Sequence, residues 1–234
     1  MHGTTALILA GGLGTRLRDA LPALPKVLAP VGGRPFVTYL LDVLAKAGLS
    51  RVVLCTGYRA DEVERALGAR YAGLDLVYSH EESALDTAGA VRRALPLLET
   101  QTALVANGDS LCEADFEAMW SSHRARRASA TILLTGRSER GSFGSVDIGA
   151  EDRVIRFEEK VEGDARFINA GVYLLERDVL EGITPERRVS FERDVFPPMV
   201  TAGTLFGFPA GGRFIDIGTP RTYGESEAFF AALR

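Results

Sequence analysis

The chain has 234 residues, 46% hydrophobic and 25% charged, with a formal net charge of −4. That is enough apolar material for one sizeable core, and the acidic balance offers no general attraction for nucleic acid or an anionic membrane surface. No apolar run reaches bilayer-spanning length, Met1-His2-Gly3-Thr4-Thr5 carries no basic leader, and Cys55 and Cys112 lack metal or redox spacing, a combination that predicts a cytoplasmic protein.

The first strand is expected over 7–10, an apolar run that opens into Gly11-Gly12-Leu13-Gly14-Thr15-Arg16-Leu17. Glycines there permit positive φ and close backbone approach. Successive N–H groups in such a turn form an anion-binding nest, and Arg16 adds a forked cationic donor. The stretch is not a G-x-G-x-x-G dinucleotide fingerprint, because Leu17 stands at the last position, and no Walker lysine follows. A plain strand-to-helix turn and a phosphate loop remain, and Pro25-Lys26 just beyond favours the second. From 17 to 35, prolines at 22, 25, 30 and 35 predict a long irregular loop folding over a ligand.

Apolar spacing predicts a helix over 36–47, stopped by Gly48, then a buried strand over 51–56. Asp61 as N-cap with Glu64 three residues on opens a second helix, closed by Gly68. A strand over 74–78 precedes a polar stretch containing Glu81. Thr87 reads as the N-cap of a helix running to about 98. Gly89, early in it, reads equally as close packing against a base or sugar or against a neighbouring strand. The strand over 103–109 ends in Asn107-Gly108-Asp109. An acid at the same sheet edge as a phosphate loop is placed to hold a divalent cation, since Mg²⁺ takes one or two carboxylates plus phosphate oxygens and water.

Asp115 starts a helix through 127, followed by a strand over 130–135 and a polar loop over 137–144. A hairpin is expected from 143–148 and 154–159, turning near Gly149-Ala150. The strand over 167–175 is interrupted at Gly171, which suggests a close ligand or neighbour, and Asn169 beside it offers a donor and an acceptor for hydroxyls. Ser190 caps a short helix ending at Pro197-Pro198. Late strands follow over 204–208 and 213–217, the second carrying Asp216. Thr219 as N-cap and Pro220 at the first helical position open the last helix. The strand–helix alternation of the first half predicts a mainly parallel sheet with helices on both faces. Ligands of such sheets lie beyond the carboxyl ends of the strands, where the glycine turn sits.

Six motifs in order carry a family resemblance: the glycine turn through Leu17, Pro25-Lys26, Asn107-Gly108-Asp109, Glu159-Lys160, Asn169-Ala170-Gly171 and Phe214-Ile215-Asp216-Ile217-Gly218-Thr219-Pro220. With them the chain resembles the sugar-1-phosphate nucleotidyltransferases over nearly its whole length. It is most similar to the D-glycero-α-D-manno-heptose 1-phosphate guanylyltransferases. The resemblance implies one domain over 1–234 with a Rossmann-like α/β sheet, a nucleotide-binding part over about 1–110, and a small sugar-binding lobe in about 111–234. It implies Mg²⁺ on Asp109 and Asp216, with Arg16, Lys26 and Lys160 as the cations of the reaction. Leu9, Ala10, Gly11, Gly12, Gly14, Thr15, Glu81, Thr87, Gly89, Asn107 and Gly108 would hold the nucleoside triphosphate. Gly144, Glu159, Asn169 and Gly171 would line the sugar pocket. The implied partners are GTP and a sugar 1-phosphate, and the resemblance admits a homo-oligomer.

One departure bears on the base. That group has Leu-Gly-Thr-Gly-Gly where this chain has Leu85-Asp86-Thr87-Ala88-Gly89, a variant that resembles the N-acetylmuramate 1-phosphate uridylyltransferases. Uridylyl or cytidylyl transfer to N-acetylmuramate, glucose or mannose 1-phosphate therefore stands beside guanylyl transfer. A non-catalytic nucleotide-binding subunit is the remaining reading, and the joint presence of Arg16, Lys26, Asp109, Lys160 and Asp216 argues against it.

Overall fold

A computed structural model of the chain describes residues 1, 4–12, 14–17, 24–136, 144–158 and 166–232. Among the described residues, strands β1 (Thr5–Ala10), β2 (Pro30–Val31), β3 (Arg34–Pro35), β4 (Arg51–Thr56), β5 (Arg70–Tyr71), β6 (Leu74–His80) and β7 (Thr102–Asn107) fill the first half. Strands β8 (Ser110–Cys112), β9 (Ala130–Gly136), β10 (Ser145–Ile148), β11 (Val154–Glu158), β12 (Phe167–Glu176), β13 (Leu205–Ala210) and β14 (Phe214–Asp216) follow. The helices are α1 (Val37–Lys46), α2 (Ala60–Leu67), α3 (Asp86–Ala94), α4 (Phe116–Arg126), α5 (Arg177–Glu181), α6 (Phe196–Ala202) and α7 (Pro220–Ala231). None of the helices described is long and apolar enough to cross a membrane.

The central sheet runs β11-β10-β12-β7-β1-β4-β6-β5, with β9 against β12 and β13 against β9. Its middle, β7-β1-β4-β6, is parallel, as the alternation predicts. Beyond β7 the sheet becomes mixed, because β12 enters antiparallel to β7, β9 and β10. The period-2 alternation of each strand splits the core in two. Ala6, Ile8, Val52, Leu54, Leu104 and Ala106 face one side, with Leu41 and Leu44 of α1, Val63 of α2 and Met119 of α4. Leu7, Val53, Ala103 and Val105 face the other, with Val91 of α3, Leu180 of α5 and Phe196 of α6. Strands buried on both faces read as apolar runs, which is why they were visible in the sequence.

Several local expectations need correction. The stretch before α1 is not all loop. Lys26–Leu28 forms a 3-10 turn, and β2 and β3 form a two-residue hairpin on Gly32 and Gly33, with φ of 56° and 84°. Two glycines with positive φ are what a tight hairpin with the right twist needs. Asp61 is not the cap of α2: the helix begins at Ala60, after Arg59 at φ 53° with no capping side chain. Thr87 is not a cap either, since α3 starts one residue earlier and no side chain caps it. Pro197-Pro198 do not end a helix but lie in the first turn of α6, where a missing N–H is harmless. Asp115 and Thr219 do cap α4 and α7, accepting from Ala118 and Thr222 N–H.

A buried polar tie joins both halves of the sheet to α4. The His123 ring contacts Thr131 Oγ1 at 2.8 Å and Glu176 Oε1 at 3.1 Å, and Thr102 donates to the same oxygen at 2.7 Å. Burial is the largest influence on His123 and pulls its pKa down, against Glu176. The unfolded chain therefore takes up a proton near pH 6.5 that the folded chain refuses. Stability from this group falls as pH drops through the ordinary histidine range and levels off below its lowered folded pKa. Urea unfolding of the wild type and His123→Gln between pH 7.5 and 5.5 checks this. The wild type's advantage should shrink on acidification, by at most ~1.4 kcal/mol per pH unit, and a constant gap would refute it.

Candidate active site

β1 ends at Ala10 and hands the chain to the glycine turn, at the carboxyl edge shared with β4, β6 and β7. Gly11 is closely packed there: a Cβ would lie 2.6 Å from Glu81 Oε1 and 3.3 Å from Gly57 N, so a larger residue would displace the Glu81 carboxyl. Gly14 sits at φ 57°, and a Cβ on it would stand 3.3 Å from Lys26 Cβ, so the turn and the lysine are packed as one unit. Glu81 leaves β6 with its N–H on Thr56 O and its Oε2 accepting from Leu85 N–H at 3.1 Å. Burial raises its pKa, and the Leu85 N–H partly opposes this.

A cavity of about 410 Å³ opens at this edge, within the range of small-ligand sites. Leu9, Ala10, Gly11, Gly12, Gly14 and Thr15 form one wall. Lys26, Glu81, Thr87, Asn107 and Asp109 also line it. A second cavity, of about 330 Å³, is lined by Arg16, Gly144, Asn169, Gly171 and Asp216 among others. Asp86, Thr87, Asn107 and Asp109 line both, so the two spaces meet over the end of β7.

The two aspartates are brought together by a short ribbon. β14 pairs antiparallel with β8, setting Asp216 opposite Ser110, and Ile217 N–H donates to Asp109 O at 2.9 Å. Burial, and then the charge of Asp109, push the Asp216 carboxyl up, while Lys26, the Gly218 N–H and Arg16 oppose the shift. Lys26 Nζ donates to Asp109 Oδ2. Two hard oxygen donors repelling one another at the wall of a cavity have the chemistry that suits a divalent cation. Among the described residues no third acidic, His or Cys side chain joins them to form a cluster of three. Thiol chemistry has no place here: both cysteines are buried, with pKa values pushed up to about 12.

Gly171 creates a bend at the wall of the second cavity. Its φ is 73°, the β9–β12 register shifts across it, and a Cβ would lie 2.5 Å from Asn107 Nδ2. Asn169 is fixed by the same bend: its Oδ1 accepts from Gly171 N–H and its Nδ2 donates to Tyr173 Oη, both at 2.9 Å. Gly171→Ala should cost roughly 2–4 kcal/mol, combining left-handed strain with overpacking. The thermal midpoint should fall by roughly 5–15 °C; an unchanged midpoint would show that the bend needs no glycine.

Two glycines expected at the nucleotide are packed tightly against backbone of neighbouring segments. A Cβ on Gly89 would sit 2.5 Å from Arg187 O, so its bare face abuts the 187–189 segment and not a cavity. Gly108 donates to Leu9 O at 2.9 Å, and a Cβ would meet that oxygen at 2.7 Å and Val27 at 2.9 Å. Glu159 and Lys160 lie outside the described residues.

The sequence reading gave no site role to four charged residues of this region, Asp86, Arg188, Glu192 and Arg193. Asp86 stands in the left-handed region at φ 64°, a conformation glycine adopts without penalty and the place where the resembled group has glycine. Its Oδ2 accepts from Arg193 at 2.5 Å and lies 3.9 Å from Arg188. Glu192 lines the second cavity from the segment after Ser190. The 85–89 segment stands out in the sequence for its departure from the resembled group, but these residues are brought together by long-range contacts that no local pattern predicts.

Open α/β sheets of this kind bind their ligands in the crevice outside the carboxyl ends of the strands. The chain belongs to the nucleotidyl transferase family, whose model matches residues 5–232. It is 38% identical over 231 residues to a mannose-1-phosphate guanylyltransferase of Mycobacterium tuberculosis, covering 97% of this chain but 64% of that protein. It is 35% identical over 222 residues to the D-glycero-α-D-manno-heptose 1-phosphate guanylyltransferase of Aneurinibacillus thermoaerophilus, covering 95% of this chain and 96% of the relative. The crystal structure of HddC from Yersinia pseudotuberculosis superposes with a TM-score of 0.86 at 30% identity, covering 97% and 99% of the two chains. A second HddC structure of similar likeness is complexed with GMP-PN.

Proposed function

We propose that this chain transfers a guanylyl group from GTP to a sugar 1-phosphate, with D-glycero-α-D-manno-heptose 1-phosphate as acceptor. The observation that carries the reading is the meeting of the two cavities at Asn107 and Asp109, with Lys26 on one side and Asp216 on the other. Full-length similarity to heptose 1-phosphate guanylyltransferases supports the acceptor. Higher identity to a mannose-1-phosphate enzyme makes mannose 1-phosphate the second acceptor to test.

In this reading a sugar-phosphate oxygen attacks the α-phosphorus of GTP in line. The new O–P bond forms as the bond to the β-phosphate oxygen breaks, and pyrophosphate leaves. The attacking group is already anionic, so no proton need be removed. The work is to hold two polyanions against one another, and positioning alone is worth ~7–11 kcal/mol. Backbone N–H groups of the glycine turn receive the triphosphate, and the Arg16 guanidinium, which lines the second, sugar-side cavity, meets the reacting phosphates from that side. Lys26 supplies a point charge between the nucleotide space and Asp109. Asp109 and Asp216 are the residues that would hold Mg²⁺, which when bound neutralises charge on the phosphate oxygens. The Glu81 carboxylate can accept from both the N1–H and the amine of guanine, whereas uracil offers one such donor.

A matrix of GTP, UTP, CTP, ATP and dTTP against heptose, mannose, glucose and N-acetylmuramate 1-phosphates, read by pyrophosphate release with and without Mg²⁺, tests this. GTP with the heptose phosphate should exceed every other pair by at least about tenfold in kcat/KM. A preference for UTP or CTP would overturn the guanine assignment, and turnover without divalent cation would overturn the metal.

A further inference from the structure

The sugar-side cavity contains a carboxylate that the phosphate chemistry leaves unused. Glu192 lies in the single π-helical turn Phe191–Val195, a form that concentrates at functional sites. Its Oε1 accepts from the Tyr173 hydroxyl at 3.2 Å. Its Oε2 accepts from the hydroxyls of Thr87 at 3.0 Å and Ser190 at 2.8 Å. These donors are themselves held. Tyr173 is fully buried and its oxygen accepts from Asn169 Nδ2. Ser190 is 2% exposed, and Thr87 Oγ1 accepts from Phe191 N–H at 2.9 Å. Residues from β12, α3 and the π-helical turn thus fix one carboxylate at the cavity wall, beside Asn169 and Gly144.

An ionised carboxylate has about four lone-pair sites and no proton to give. Three of Glu192's are engaged, which leaves about one acceptor on a residue that lines the cavity. A phosphate would be repelled there, so the group that fits is a neutral donor.

We infer that Glu192 accepts one hydroxyl of the sugar and is a specificity-determining residue for the sugar 1-phosphate. The inference rests on the nucleotidyl-transfer reading and extends it. A sugar lacking that hydroxyl strands a desolvated acceptor, and sites built to pair a hydroxyl reject analogues without it far more strongly than apolar pockets reject a missing methylene.

The test is steady-state kinetics of Glu192→Gln with the best sugar 1-phosphate and its monodeoxy analogues. KM for the sugar phosphate should rise about tenfold or more, with KM for GTP within about twofold. The wild type should lose about 10²-fold in kcat/KM on one monodeoxy analogue, and the variant should lose that discrimination. Glu192→Asp, which keeps the charge but withdraws it by one methylene, gives the same readout should the Gln variant not fold. Equal rises in both KM values would mark a scaffold role and overturn the inference. So would an unchanged sugar KM, or a monodeoxy profile identical to the wild type's in a folded variant. Absence of wild-type turnover with every sugar phosphate would remove the nucleotidyl-transfer reading and this inference with it. Wild-type turnover with an unaltered variant profile removes this inference alone.

Discussion

Asp216→Asn is expected to lower kcat by on the order of 10²–10³-fold without unfolding the chain. The reasoning starts from charge. Burial and the neighbouring Asp109 make the ionised Asp216 carboxyl unfavourable in the free protein. A carboxyl whose pKa is raised by folding holds its proton more tightly in the native state, so its ionised form at neutral pH opposes folding. An amide of the same shape removes that penalty and keeps the bond from Gly218 N–H, which now lies at 2.8 Å from Oδ1. The thermal midpoint without divalent cation should therefore stay level or rise by a few degrees. Activity should move the other way, because in the proposed reaction this carboxylate pair would hold the divalent cation that neutralises the polyphosphate. The Mg²⁺ concentration for half-maximal rate should rise about tenfold or more. Asp109→Asn should behave alike in rate, but should also leave Lys26 without its carboxylate partner. Full activity in either folded variant would dismiss the carboxylate pair as the metal site.

How these acids come to meet shows where sequence reading stops. The parallel middle of the sheet was legible because Ala6-Leu7-Ile8 and its counterparts are apolar at every position, and because Gly48 and Gly68 end helices α1 and α2 where a turn is needed. Residues at the carboxyl ends of those strands were legible for the same reason: the topology predicts which edge is used, and the glycine turn marks it. That Asp216 lies beside Asp109 was not legible from local pattern. It depends on β8 and β14, three-residue strands far apart in sequence that pair only with each other. The family resemblance supplied that pairing of roles; periodicity did not.

Glycine was ambiguous in one place and overlooked in another. Gly89 reads equally as ligand approach or packing and Gly108 enters through the resemblance, and each accommodates backbone from a neighbouring segment. A sequence cannot distinguish a base from a carbonyl oxygen as the object pressed against a missing Cβ. Gly32-Gly33, passed over inside a proline-rich loop, instead make a hairpin whose Val31 packs with Phe36 and with Ile215 and Ile217 of the Asp216 segment. Glu192 was invisible for a different reason. Its partners, Thr87 and Tyr173, come from elements that adjoin it only after folding.

Lys26→Met carries the second large effect: kcat/KM for GTP should fall about 10²–10³-fold. Lys26 follows Pro25 into a 3-10 turn whose Val27 and Leu28 are buried, so the ammonium is aimed by a packed backbone. Its side chain is 13% exposed and pairs with Asp109, which is 30% exposed. A fully buried pair loses about 3–5 kcal/mol when one partner is deleted; the partial exposure of Asp109 should reduce this to roughly 1–2 kcal/mol. Methionine keeps the length and the stem packing against Gly14, and so removes only the charge. If Lys26 serves the nucleotide solely by countering Asp109, then Asp109→Asn should erase the effect of a later Lys26→Met. If it also touches phosphate, the double variant should be worse than Asp109→Asn alone, by less than the sum of the single effects. The second pattern is the expected one, because Lys26 lines the nucleotide cavity as well as gripping Asp109. A Lys26→Met protein with an undiminished kcat/KM would leave this lysine a structural ion pair and move the cationic role to Arg16.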